Sequence, residues 1–253
     1  MRMRTINKYL NHYGVTFTVG SSSKHSYADY GVYPTTAWPD IPAAQVKTKI
    51  IDMPAMDGGL DLSESLTGWP VYKTRKATFT FLVPEERLWE ETFTRMRTDL
   101  HGRIAQLVRD VEPQYYYSGR LSLEKDKCDR NGGIITVEAQ LSPFKWEITN
   151  TIDDWLWDPF SFVNGVIRQY GGITVSGTQT VTVVSSPAGG CPVIAVSNLS
   201  GTLTVTYNSV TKTITANGNH TFPEFELPHA EEEITFTFAG SATVSIWFRP
   251  GVL

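Results

Sequence analysis

The segment Asp153-Asp154-Trp155-Leu156-Trp157-Asp158 is where this sequence comes closest to a reactive constellation. Trp155 and Trp157 offer ring faces on which a sugar can stack, and the acids beside them can accept its hydroxyl protons. Two carboxylates, such as Asp153 and Asp158, are also the minimum equipment for splitting a glycosidic bond, provided one of them keeps its proton near neutral pH. Nothing in the surrounding sequence supplies that raised pKa. Residues two apart in an extended segment project to the same side, so Trp155 and Trp157 also suit a packing role that leaves the acids in water. Packing is the preferred reading, and sugar binding through the two tryptophans is the alternative.

Other sources of chemistry are poorer still. His12, His25, His101, His220 and His229 show no metal-ligand spacing of the HExxH kind. There is no GxSxG nucleophile elbow and no GxxxxGK[ST] phosphate loop. The run Asp57-Gly58-Gly59-Leu60-Asp61-Leu62-Ser63-Glu64 begins like a calcium loop, which needs Asp or Asn at its third position and Gly at its sixth. Here Gly59 and Leu62 stand there. The glycines are better read as permitting a tight connection between strands. Cys128 and Cys191 form no framework. The expectation is a non-enzyme with no catalytic residue, no cofactor and no metal.

The elements that position these residues are mostly strands. Val15–Val19 and Thr78–Phe81 alternate apolar and polar residues, the period of a half-buried strand. Gln45–Ile51 is a further strand candidate. Gly20–Pro42 has no period and is rich in Ser, Tyr, Gly and Pro; loops of this length are usually functional or clamped onto something. Tyr27, Tyr30, Tyr33 and Trp38 in it are candidates for contact with a neighbouring subunit, and a loop folded back on its own domain is the competing reading. One helix is expected over about Pro84 to His101, with proline in its first turn and Leu88, Thr92, Phe93, Met96 and Leu100 on one face. Strands follow at Arg103–Val111, Tyr116–Glu124 and Ile134–Leu141, the last two joined by a hairpin at Asn131-Gly132-Gly133. Beyond Pro143 come short Thr/Val-rich strands separated by Gly-Gly, Asn-Ser and Asn-Gly turns. The fold class expected is mainly β. An N-terminal β domain with one helix and a β-hairpin occupies 1–142, and a C-terminal antiparallel sandwich of jelly-roll kind occupies 143–253.

Charge agrees with two parts. Residues 1–150 hold 19 Lys/Arg against 18 Asp/Glu, and residues 151–253 hold 3 against 8. Neither has the cationic excess that gripping nucleic acid requires. The N-terminus lacks the apolar core of a signal peptide, and no apolar run reaches the roughly 18–20 residues that span a bilayer. Synthesis and folding in a cytoplasm, without a membrane partner, are expected.

The segment Ile50-Ile51-Asp52-Met53-Pro54-Ala55-Met56-Asp57-Gly58-Gly59-Leu60-Asp61-Leu62-Ser63-Glu64, continuing through Tyr72 and Arg75 into Phe79-Thr80-Phe81, resembles the signature of the distal tail proteins of phages with long, non-contractile tails. The family's usual basic residue before Asp-Gly is Met56 here. Helix, Asn-Gly-Gly hairpin, Pro143-Phe144 junction and Thr-rich second part keep that family's order, and the likeness reads as close to a member from a phage of Gram-positive hosts. The resemblance implies a structural hub at the virion's tail tip, assembled in the host cytoplasm. Its N-terminal domains would form a hexameric ring whose channel lets DNA pass without specific binding. Its C-terminal domain would be galectin-like or similar to a carbohydrate-binding module. Its partners would be the major tail tube protein on one side and a tail-tip, tail-associated lysin-type protein on the other. A carbohydrate-binding adhesin module recognising host cell-wall sugar is the rival function.

Overall fold

The computed structural model describes residues 14–35, 41–55, 57–129, 132–154, 162 and 165–253, with the backbone alone at 86 and 125–129. The protein is mainly β with antiparallel sheets, and the chain divides into two compact units, Met1–Lys145 and Trp146–Leu253.

In the first unit, strands Val15–Val19 (β1), Ser22–His25 (β2), Tyr33–Pro34 (β3), Arg75–Val83 (β6), Ile104–Arg109 (β7), Tyr115–Asp129 (β8) and Gly132–Glu147 (β9) form one sheet. Their order is β2-β1-β7-β8-β9-β6-β3. Ile50–Asp52 (β4) and Gly59–Asp61 (β5) pair apart from it as a two-stranded hairpin. The period-two pattern does what it should along β6: Ala77, Phe79, Phe81 and Val83 are buried, and Phe79 and Phe81 sit opposite Val137 and Ile135 of β9. The one α-helix among the described residues, Trp89–Leu100 (α1), covers this core with Trp89, Phe93, Met96 and Leu100. Positions spaced at four, seven and eleven residues lie on one face of a helix. Full burial of each such side chain stabilises by roughly 1.5–3 kcal/mol over exposure. A charge at Met96, which is completely buried, would break the unit.

The helix begins later than its proline promises. β6 keeps its alternation as far as Val83, so the chain must first turn, which it does through a single 3-10 turn at Glu86–Leu88. Trp89 therefore takes the core position expected of Leu88, which is exposed. Gly102, at φ 74°, ends the helix as the sequence indicates, and its N–H donates to Leu121 at 2.8 Å.

The second unit contains Ile173–Val184 (β10), Val193–Tyr207 (β11), Val210–Ile214 (β12), Gly218–Thr221 (β13), Glu233–Trp247 (β14) and Gly251–Val252 (β15). The sheet order is β10-β14-β11-β12, with β13 also on β11. The sequence pattern reads β10, β11 and β14 each as two short strands: Ile173–Val175 with Thr180–Val184, Pro192–Ser197 with Thr202–Tyr207, and Glu233–Phe238 with Thr243–Phe248. The structure keeps each whole and places the glycines across the middle of the sheet. Gly177 lies opposite Gly240, both at positive φ, and the β11–β14 register slips between Ser197 and Thr204. The slip changes which residues face inward, from Ile194 and Val196 before it to Leu203, Val205 and Tyr207 after it. Both ends of β11 thus enter one core with Phe225, Phe236, Phe238 and Ile246. Asn208 and Ser209, both at positive φ, form the two-residue turn between β11 and β12 that the Asn-Ser signal indicates.

Candidate functional site

The most unusual surface belongs to the β4–β5 hairpin. Its register sets Ile50 opposite Asp61, Ile51 opposite Leu60 and Asp52 opposite Gly59. Gly59 is required there, since a Cβ would stand 2.4 Å from the Ile50 side chain. The connection bends through Ala55 and Gly58 at φ 64° and 76°. At the root, Lys47 N–H donates to the Val71 carbonyl and Lys73 N–H to the Gln45 carbonyl, both at 2.7 Å. Ser63 fastens the return: its N–H donates to Asp61 Oδ1 and its Oγ accepts from Lys49 N–H, both at 2.8 Å. The Ser63 hydroxyl, and after it the Ser63 N–H, hold the Asp61 carboxyl below its usual range.

The backbone is thus well tied while the side chains are not covered. Ile50 is 59% exposed and Leu66 99%, with Val46, Ile51, Met53 and Leu60 exposed beside them. A two-stranded hairpin is marginal in water by itself, and its exposed apolar side chains make it a candidate for covering by a partner. The segment is also one-signed. From Ile50 to Tyr72 it carries Asp52, Asp57, Asp61 and Glu64 and not a single Lys, Arg or His.

The expected contact residues fall differently. Tyr30 is a correction: it is 4% exposed and packs in its own unit's core, its hydroxyl donating to Asp99 Oδ2 at 3.0 Å. Lys24 and Arg95 lie over its ring at 5.7 Å each, and Lys24 pairs with Asp99 at 2.7 Å. Tyr27 and Tyr33 are half-buried and pack on each other at 5.0 Å between ring centres. The described part of the 20–42 loop is therefore clamped onto α1 and β6 of its own unit, because its tyrosines find cations and carboxylates there. Trp38, Trp155, Trp157 and Asp158 lie outside the described residues. Asp153 and Asp154 are exposed loop acceptors, taking hydrogen bonds from Asn150 N–H and Gln169 Nε2, each at 3.1 Å.

Two polar clusters were not anticipated. In the first unit the Tyr117 ring lies between the Arg75 and Arg109 guanidinium groups, at 5.2 and 5.4 Å. Glu112 ties the group together: it pairs with Arg109, accepts from the Tyr117 hydroxyl at 3.1 Å and pairs with Lys145 at 3.0 Å. Burial alone would raise the Glu112 carboxyl, but Arg109 and Lys145 hold it below the ordinary glutamate value. In the second unit Arg168, its side chain 3% exposed, donates to Glu147, Glu231 and the carbonyls of Val184 and Ser185. Burial pushes the Glu147 carboxyl up, against the pull of Arg168. These groups are spread over distant stretches of sequence, so no motif announces them. Among the described residues, no three His, Cys, Asp or Glu side chains gather as metal ligands do. No described helix is long and apolar enough to cross a membrane.

The sequence matches no family model and no curated protein. In fold the chain is similar to the crystal structure of SPP1 Dit, described as a paradigm of the hub adsorption apparatus in Gram-positive infecting phages. The TM-score is 0.52 with 10% identity, covering 94% of this chain and 99% of that one. The two share a fold along nearly their whole lengths. The close sequence kinship expected with a member from such a phage is absent at this identity, and this is a correction.

Proposed function

We propose that this protein is a structural hub of a phage tail tip, built by self-association of its first unit into a closed hexameric ring. The ring joins the tail tube to the adsorption apparatus and leaves a channel for DNA. The observation that carries this reading is the shared architecture with a phage adsorption hub protein along nearly all of both chains. The β4–β5 hairpin supports it: an acidic, apolar arm on an otherwise well-packed unit needs a partner surface, and a ring needs one heterologous contact repeated until it closes. The partners in this reading are the major tail tube protein and a tail-tip, lysin-type protein. The absence of a strong cationic excess in the sequence suits a channel that passes DNA without holding it. Light scattering on the purified protein is the test. A mass well above the 28.3 kDa chain at micromolar concentration supports the reading. A strict monomer that also fails to assemble on tail-tip proteins refutes it.

A further inference from the structure

The first unit also carries a groove of about 320 Å³ whose walls include Lys76, His101 and Arg120 and whose floor includes Leu121 and Ala139. We infer that this groove receives the β4–β5 hairpin of a second copy of the chain. The inference rests on the proposed self-assembly and names the surface that answers the hairpin.

Charge complementarity selects the occupant. From Ile50 to Tyr72 the hairpin and its return carry four acids and no cation, with Lys47, Lys49 and Lys73 at the root. The groove is apolar at its floor and carries Lys76 and Arg120 against the single acid Glu138 at its walls, a small positive excess. Among the described residues Arg120 has no carboxylate partner, and it donates to the Gly102 carbonyl at 2.5 Å. Lys76 pairs with Glu138 at 2.6 Å, yet its side chain stays 60% exposed and its ammonium has donors to spare. The His101 Nδ1 is occupied by the Leu123 N–H at 3.0 Å, which holds its ring in place at the rim. Glu138 is the one acid among the lining residues, and Lys76 answers it. Within one chain the two surfaces do not meet: no hairpin residue lines the groove, and Ile50, Ile51 and Leu60 face water. A copy's hairpin entering its neighbour's groove therefore covers on one side the apolar residues left open on the other. The contact is heterologous, the kind that a ring requires.

A charge swap tests this. Asp61→Lys with Glu64→Lys reverses the hairpin, and Lys76→Glu with Arg120→Glu reverses the groove. Each pair of changes alone should weaken self-association at least about tenfold, as like charges then face each other. All four together should restore assembly to within a few-fold of the unaltered chain, because opposite signs again meet. All positions are at the surface, so circular dichroism should show every variant folded. A neutral pair, Lys76→Gln with Arg120→Gln, should fall between and replaces the reversed pair should that fail to fold. Groove variants that assemble like the unaltered chain, or a fourfold variant that stays dispersed, overturn the inference while leaving the hub reading intact. An unaltered chain that never assembles counts instead against the hub reading itself.

Discussion

Arg168 and Arg75 show how differently two buried guanidiniums can be used. Arg168 has carboxylates and carbonyls on several sides, so Arg168→Ala strands Glu147 in a buried site. Leaving one partner of a buried pair uncompensated costs about 3–5 kcal/mol. Urea denaturation followed in the second unit should register a loss of that order, and a change under about 1 kcal/mol would contradict the account. Arg75 is as buried, yet one of its terminal nitrogens has no hydrogen-bond partner among the described residues; its Nε donates to the Ser142 carbonyl at 3.3 Å and its guanidinium lies over the Tyr117 ring. Glu112 adds a pH dependence. Its folded-state pKa lies below the unfolded one, so the unfolded chain takes up the proton first as pH falls. The stability it contributes is present above the ordinary glutamate value of 4.5 and is lost as pH drops through the lower folded value. Thermal unfolding at pH 6 and pH 3 should show a smaller acid-induced loss in Glu112→Gln than in the unaltered chain; equal losses would count against this role.

At the scale of elements, the proposed assembly assigns the hairpin's side chains to association and gives them little part in the fold of one copy. Ile50→Ser with Leu60→Ser should leave the melting midpoint within about 2 °C, since exposed substitutions stay within about 0.5 kcal/mol. The same variant should lose self-association in light scattering. A large fall in midpoint would mean that the hairpin supports its own unit instead. What could be read in advance follows the same division. β1 spans Val15–Val19 as its alternation indicates, and Phe93, Met96 and Leu100 line the buried face of α1. Both patterns are local and repeat within a few residues. The breaks expected in β10, β11 and β14 did not occur, because glycine at positive φ can bend a paired strand as well as end it, and only pairing decides which. The hairpin was legible as a motif at Asp57-Gly58-Gly59, but its exposure was not. Ile50, Ile51 and Leu60 look like core residues until the structure shows nothing over them. Tyr30 of the 20–42 loop misleads in the opposite direction, since Arg95 and Asp99, distant from it in sequence, give its ring a place inside.

For the whole molecule, the proposed role is one of shape and contact. Two compact units, one bearing a tied but uncovered apolar arm and a groove of opposite charge, are what a repeating assembly needs from each copy. The fold is shared with SPP1 Dit at 10% identity along nearly the whole of both chains. The most direct test is a negative-stain electron micrograph of the purified protein. The account expects annular particles with a central opening and six-fold class averages, lost in the Ile50→Ser, Leu60→Ser variant. Isolated single-chain particles at concentrations where the arm should be occupied would contradict it.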